Sequence, residues 1–585
     1  MKNILKYLKD YKKETVLGPL FKLLEASFEL IVPLVMAQII DVGIRNKDIS
    51  YVLQMIGVMI LLGVVGLVCS ITAQYYAAKA ATGFGTSLRH NLFKHIQSLS
   101  YTEMDTLGST TLITRMTSDI NQAETMVNLF LRLFLRSPFV VIGAMIMAFY
   151  VNIKGALVFV VAIPLLAIVV FGVMLVSIPL YDKVQSGIDK ILVSIRENLT
   201  GVRVIRAFHK EEQEKQEFEK KNSILVGAQL RVGKISAILN PITYTMINVA
   251  IIAVIWVGAK EVDDGVISQG EVVALINYMS QILVEMIKLA NLIISMNKGV
   301  ACANRISKVF DVEPSLTDPK IQVFDNDKVE VIKQLQENQI VFDNVSFRYK
   351  DASADSLTNI SFNVDRGETI GIIGGTGSGK STLINLIPRF YDVSQGDIII
   401  DGINVKDYPL GSLRGKIGIV PQKAVLFKGT IRENLKWGKK DAKEEEIESA
   451  LISSQAMDFI QEKNNKFDFM VQQGGKNLSG GQRQRIAIAR ALIRQPEILI
   501  LDDSSSALDY ATDARLRKAI GELDESMTTF IVSQRAASIL NADKIIVLND
   551  GKMVGCGPHK ELINECEIYQ EIYYSQFPKE ATNEA

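Results

Sequence analysis

The chain has 585 residues, 48% of them apolar and 22% charged, with 64 basic against 64 acidic side chains and a mean hydropathy of +0.19. That average is too apolar for an ordinary soluble enzyme, and the balanced charge does not suggest nucleic acid as a partner. The four cysteines, Cys69, Cys302, Cys556 and Cys566, have no metal-ligand spacing and read as buried free thiols.

The N-terminal MKNILKYLKDYKKE is basic and amphipathic and lacks a small-residue cleavage site, which predicts an interfacial helix leading into a membrane rather than a removed signal. Six apolar stretches follow, near 16–40, 52–77, 129–150, 155–178, 241–260 and 271–296. Each approaches the roughly 20 residues a helix needs to cross a hydrocarbon core of about 30 Å. The third and sixth are interrupted by Arg132 and Arg136 and by Glu285 and Lys288. Lysines 2, 6, 9, 12 and 13 precede the first stretch, and the connections 78–128 and 179–240 carry Arg89, Lys94, Arg115, Lys183, Lys190, Arg196, Arg203, Arg206 and Lys210, whereas KEVDDGVISQGE between the fifth and sixth is mostly acidic. This bias places both chain ends and both long connections in the cytoplasm. The connections keep helical periodicity, so the spans are expected to continue beyond the bilayer.

Glu25 and Glu29 lie four residues apart, on one face of the first span. A carboxylate facing lipid is costly, so that face is expected to look into the bundle or a water-filled cavity. Two readings remain open: solvated or hydrogen-bonded groups near the cytoplasmic end, or a wall that attracts cationic substrates. Glu285 and Lys288, three residues apart, are expected to form an internal ion pair.

Residues 1–309 are thus assigned to a six-span domain, and Pro314 and Pro319 mark a linker over 310–338. Residues 339–577 alternate apolar and charged segments as a soluble α/β domain does, and 578–585 form a polar tail. Within the soluble part, in the run Gly374, Gly375, Thr376, Gly377, Ser378, Gly379, Lys380, Ser381 and Thr382, the residues Gly374, Gly379, Lys380 and Ser381 satisfy G-x-x-x-x-G-K-[ST] between a β-rich run and an apolar helix. Backbone N–H groups of such a loop wrap a phosphate, the lysine reaches the terminal phosphates, and the serine hydroxyl suits Mg2+. ILILD ends in Asp502 as a buried parallel strand would, which puts a carboxylate beside that loop on the magnesium side. Ser479, Gly480 and Gly481 open a basic amphipathic helix and form a second anion site for which the chain itself has no evident need. That site makes sense if it closes over nucleotide held by another copy or another subunit.

GGTGSGKST, VPQ ending at Gln422, LSGGQ at 478–482, ILILD and SALD at 506–509 together resemble the ATP-binding cassette exporters of the half-transporter kind, with the type IV exporter fold. The resemblance implies a multi-domain membrane protein: a six-helix all-α transmembrane domain fused to a cytoplasmic α/β P-loop nucleotide-binding domain, working as a dimer in the bilayer of a bacterial cytoplasmic membrane. It implies ATP and Mg2+ as cofactors, with Ser381, Gln422 and Asp502 around the metal, Tyr349 stacked on adenine, and Ser479, Gly480, Gly481 and Gln482 completing a hydrolytic site. Asp509 resembles the aspartate that communicates across the dimer. YTEMDTLGSTTLITRMTSDI and ENLTGVRVIRAFHKEEQ resemble the cytoplasmic loops whose short coupling helices dock on the cassettes.

The sequence departs from that family at three places. Asp503 stands where a catalytic glutamate is usual, Gln534 where a histidine contacts the γ-phosphate, and Gln473 where a glutamate is often found. Aspartate keeps the charge but is shorter by one methylene, and glutamine cannot carry an imidazole's charge. The combination resembles the degenerate-site subunit of bacterial heterodimeric multidrug exporters, whose partner half-transporter carries the intact glutamate and histidine. It implies export of drugs or lipid-like amphiphiles. The alternatives are a homodimeric lipid or peptide exporter with slow ATPase based on Asp503, and an ATP-gated channel or regulatory membrane subunit.

Overall fold

The computed structural model describes residues 2–318 and 338–577. Most of the expected linker and the whole tail, 319–337 and 578–585, lie outside the described residues. Contacts divide the chain into one unit of Met1–Gln97 with Gly108–Val312 and a second of Ser98–Leu107 with Glu313–Ala585.

Among the described residues the first unit has six helices long and apolar enough to cross a membrane: Lys6–Ile44, Ile49–Ser98, Ser109–Val151, Ile153–Thr200, Glu211–Asp263 and Gln269–Phe310. At 1.5 Å per residue they run to roughly 60–80 Å, about twice the hydrocarbon thickness, so they extend well past it as expected. Small residues set the closest approaches. A Cβ on Gly18 of the first span would stand 3.3 Å from the Ala77 nitrogen of the second, and Ala73, Ala77, Ala80 and Ala81 are buried there. The sixth span is the central post, turning Ala274, Leu275, Tyr278, Ile282 and Met286 into one core with Leu30, Val140, Ala144 and Val254. The third span is not a regular α-helix: π turns at Arg115–Asp119 and Phe130–Phe134 interrupt it. Each π turn inserts a residue and re-phases the helix. The charged LFLRLFLR stretch falls on the second of them, and just past it Arg136 is buried.

Among the described residues the second unit has twelve strands: β1 (Asn338–Phe347), β2 (Leu357–Asp365), β3 (Thr369–Gly374), β4 (Gln395–Ile400), β5 (Ile403–Asn404), β6 (Ile417–Val420), β7 (Gly429–Thr430), β8 (Met470–Val471), β9 (Ile498–Asp502), β10 (Thr528–Val532), β11 (Lys544–Asn549) and β12 (Lys552–Gly557). The larger sheet has the order β12-β11-β3-β10-β9-β6 and is parallel except for β12. All five residues of β9 are buried, as an apolar run in the middle of a parallel sheet must be. A smaller antiparallel sheet, β2-β1-β4-β5, shares a core with β3 and the helix Lys380–Leu386. Because β10 lies between β3 and β9, with Val532 level with both Ile372 and Asp502, the carboxyl ends of three neighbouring strands converge. Ligands of open α/β sheets bind at such an end.

Ser98–Leu107 was expected to belong with the rest of 1–309, yet it groups with the second unit. The reason is aromatic and polar packing. The Tyr101 ring in the helix Tyr101–Leu107 lies 4.6 Å from that of Phe390, and the Tyr391 hydroxyl donates to Asp105 at 2.7 Å. Buried Glu103 accepts from the Ser100 N–H at 3.1 Å and from its hydroxyl, and the Ser100 and Ser315 hydroxyls are 2.8 Å apart. Of the four thiols, Cys69, Cys302 and Cys566 are buried and free as expected, whereas Cys556 is free but exposed. It sits on β12, at the sheet edge.

Candidate functional site

Where the three strand ends meet, a cavity of about 830 Å3 is lined by Tyr349, residues 376–382, Gln422, Asp502, Asp503 and Gln534. Gly374 and Gly375 form its approach from β3. A Cβ on Gly374 would stand 2.1 Å from the Leu548 carbonyl oxygen, so only glycine lets the chain turn here. Gly379 has φ +97, and a Cβ there would meet the Ser356 carbonyl at 2.8 Å. This left-handed residue is the N-cap of Lys380–Leu386, and no side chain caps that helix. Its first-turn N–H groups therefore suit a phosphate.

The Lys380 ammonium folds back over the loop and donates to Gly374 O at 2.9 Å, Gly375 O at 2.6 Å and Ser378 Oγ at 3.3 Å. Burial pushes its pKa down, against the pull of Asp503 and Asp502. Burial likewise pushes the Asp502 carboxyl up, opposed by the Ser381 hydroxyl, which donates to Oδ1 at 3.1 Å. Among the described residues no group of three or more His, Cys, Asp or Glu could hold a metal ion. The oxygens of Ser381, Asp502 and Gln422 are a partial set of hard donors. They fit a Mg2+ whose other ligands are phosphate oxygens and water, which is how this ion usually binds.

Asp503 is held at φ +45 by its N–H, which donates to Val532 O at 3.0 Å, and by its carbonyl, which accepts from Ser506 Oγ at 2.9 Å. Its carboxylate faces the cavity and accepts from Gln422 Nε2 at 3.2 Å, a pairing the sequence did not suggest. The Gln422 amide oxygen stays available as a ligand. Tyr349 shares a hydrogen bond of 3.1 Å with Thr382 and meets Tyr391 edge-on at 5.3 Å. Tyr391 was missed, although RFYD directly after the phosphate-loop helix was its signal.

The remaining predicted residues are elsewhere. Ser479, Gly480, Gly481, Gln482 and Asp509 do not line this cavity. Ser479 caps the helix Gly480–Leu492 with its hydroxyl at 3.2 Å from the Gln482 N–H, and the Gln482 side chain accepts from the Ser479 N–H at 3.0 Å. Gln482 is thus one half of a capping box, legible in the S-x-x-Q spacing. Ser479 and Gly480 are exposed. Asp509 caps Tyr510–Gly521, and the Thr512 N–H, at 2.9 Å, holds its carboxyl below the usual range.

In the membrane unit, Glu25 and Glu29 are not an uncompensated acidic wall. Lys22 reaches Glu25 at 2.5 Å, and Arg136 pairs with Glu29 and, at 2.5 Å, with Glu285. Glu285 also accepts from Ser137 at 2.7 Å and pairs with Lys288 at 3.0 Å, the ion pair that the sequence predicted. An ionised carboxylate inside a bundle is stabilised by a neighbouring cation. Of the two, Glu29 retains the more accessible side chain, 42% exposed.

Residues 15–286 match the family described as ABC transporter transmembrane region, and residues 357–506 the family described as ABC transporter. The chain is 36% identical over 582 residues to the uncharacterized ABC transporter ATP-binding protein YfiB of Bacillus subtilis (strain 168), covering 100% of each. It is 35% identical over 490 residues to the ATP-dependent lipid A-core flippase of Desulfotalea psychrophila, covering 83% of this chain and 84% of that one. Its fold is similar to that of a bacterial Atm1-family ABC exporter solved with ATP bound, at a TM-score of 0.80 over 98% of this chain and 99% of the other. At 22% identity that likeness speaks to the fold alone.

Proposed function

The chain belongs to the ABC transporters, as a half-transporter of ATP-driven export with six membrane spans and one ATPase cassette, and we propose that its own nucleotide site is the weak one of an unequal pair. The observation that carries this reading is Asp503. A carboxylate short of the family's glutamate by one methylene is tied to Gln422 at 3.2 Å, and Gln534 rather than an imidazole lies across the same cavity. Positioning errors of about 1 Å in such a reaction cost on the order of a hundredfold.

The working site then belongs to a partner half-transporter with an intact glutamate and histidine. Ser479, Gly480 and Gly481 support this, since they stand outside their own cavity on an exposed helix start suited to a γ-phosphate across the dimer. Tyr349 stacks on adenine and the loop at 374–382 grips the phosphates. Ser381, Gln422 and Asp502 hold Mg2+, which when bound neutralises phosphate charge. ATP bound between the two cassettes closes them, the loops around 101–120 and 197–213 transmit the closure, Asp509 communicates across the dimer, and the spans open outward.

The cargo is an amphiphile, drug-like or lipid-like. The 35% identity to a lipid A-core flippase supports the lipid-like class. Glu29 is partly exposed but paired with Arg136, so a cationic headgroup would meet it only by displacing that arginine. The chain works in a bacterial cytoplasmic membrane with both ends inside, the spans within 1–309 and the cassette within 339–577.

Steady-state turnover tests the proposal. Ser479→Ala or Gly481→Ala should nearly abolish ATP hydrolysis by the pair, whereas Asp503→Ala should cost little. Equal and severe losses, or full turnover by this chain alone, would make Asp503 the working carboxylate of a homodimer.

A further inference from the structure

Gln534 follows β10, and its loop is fixed from several sides. The Ser533 N–H donates to Ile372 O at 3.1 Å, tying the loop to β3. The Arg535 N–H donates to Ser533 Oγ at 2.9 Å, and the Arg535 guanidinium lies 4.8 Å from the Tyr510 ring centre and donates to Leu508 O at 3.3 Å. Two further backbone groups of the turn are the Gln534 carbonyl and the Ala536 N–H. Both are taken by one side chain from the far end of the sequence. Gln576 Nε2 donates to Gln534 O at 2.8 Å, and Gln576 Oε1 accepts from the Ala536 N–H at 2.8 Å.

We infer that Gln576 is a positioning residue for nucleotide recognition: its amide clamps the turn at 534–536 and so aims the Gln534 side chain into the cavity that holds the terminal phosphate. The two partners are of opposite kinds, an acceptor and a donor spaced across one residue. Only an amide satisfies both. Ala536 is fully buried, so its N–H would otherwise be left without a partner at a cost in free energy. The clamp has a firm base, since the helix Glu567–Gln576 is anchored by fully buried Tyr569. The Tyr569 hydroxyl stands 2.7 Å from His559 Nδ1, and Tyr569 packs in one core with Ala536, Ile539 and Val547. A helix that contributes nothing to the cavity lining thereby sets the geometry of a residue that does.

The inference rests on the reading that Gln534 meets the γ-phosphate, and the test separates the two. Full-length chain in lipid nanodiscs is titrated, with Mg2+, against ADP and against AMP-PNP as a non-hydrolysable ATP analogue. Gln534→Ala and Gln576→Ala should each shrink the preference for AMP-PNP over ADP by about five- to tenfold, with ADP affinity unchanged. The double variant should match either single one, because both remove the same contact. Gln576→Glu, which can accept from Ala536 but repels the Gln534 carbonyl, keeps the fold's anchor and should still lose preference. A preference preserved in Gln576→Ala and Gln576→Glu but lost in Gln534→Ala would overturn the clamp, as would equal weakening of both nucleotides or a further loss in the double variant. An unchanged preference in Gln534→Ala would overturn the γ-phosphate reading itself.

Discussion

The membrane unit and the cassette each gather charged groups away from water, and they treat them in opposite ways. Around Arg136 every charge has a counter-charge: Glu29 and Glu285 on the arginine, Lys288 on Glu285. In the nucleotide cavity Lys380 leans on carbonyl oxygens and a serine, and Asp502 has only a hydroxyl. The first arrangement balances its charges and joins three spans. The second is unfinished, with a cation and a carboxylate each held at some cost and each relieved by a ligand of the right charge. Closed networks of this sort read as structure and open ones as function.

That contrast breaks most visibly at Arg136. Arg136→Ala leaves Glu29 without its cation and Glu285 with Lys288 alone, and should destabilise the membrane unit by about 3–5 kcal/mol, read as loss of folded protein in detergent melts. Adding Glu29→Gln and Glu285→Gln should restore much of it, because the charge that needed the arginine is then gone. If Arg136→Ala alone melts like the parent, the cluster is not structural.

Lys380→Ala should behave in the opposite way. Nucleotide affinity should fall about ten- to hundredfold while the ligand-free melting temperature holds, since the lysine's own bonds are to groups that water can serve. A large drop in stability without nucleotide would place Lys380 with the closed networks.

The smallest effect sharpens the comparison through pH. Because the folded-state pKa of Asp502 is raised, the neutral carboxyl suits the empty fold, and its contribution is full at low pH and lost as pH rises through that pKa. Asp502→Asn should therefore melt with the parent in acid and about 2 °C above it at neutral pH without nucleotide, while losing Mg2+-dependent nucleotide binding. A difference that grows on acidification instead would reverse the sign and refute the cause.

What local pattern encodes was legible in the sequence. Apolar runs near 20 residues gave the spans, the phosphate-loop spacing gave the cavity's floor, and four apolar residues before Asp502 gave β9. What depends on two distant segments meeting was not. Nothing near Arg136 says that it faces Glu29 and Glu285, because the π turn at Phe130–Phe134 alters its phase after periodicity has been read. Gln422 with Asp503, and Gln576 with Gln534 and Ala536, likewise arise from strand order and terminal packing, for which no short motif exists.

The grouping of Ser98–Leu107 with the cassette has a consequence for biosynthesis. These ten residues leave the ribosome about two hundred positions ahead of Glu313, where the rest of their unit begins. At 5–20 residues per second that is an interval of about 10–40 s. During it the Tyr101 ring lacks Phe390 and Asp105 lacks the Tyr391 hydroxyl, while Glu103 can already close on Ser100 within its own turn. The loop is thus able to wait in a locally capped shape, and a cassette translated from residue 313 alone would present an aromatic face that its own chain had been meant to cover.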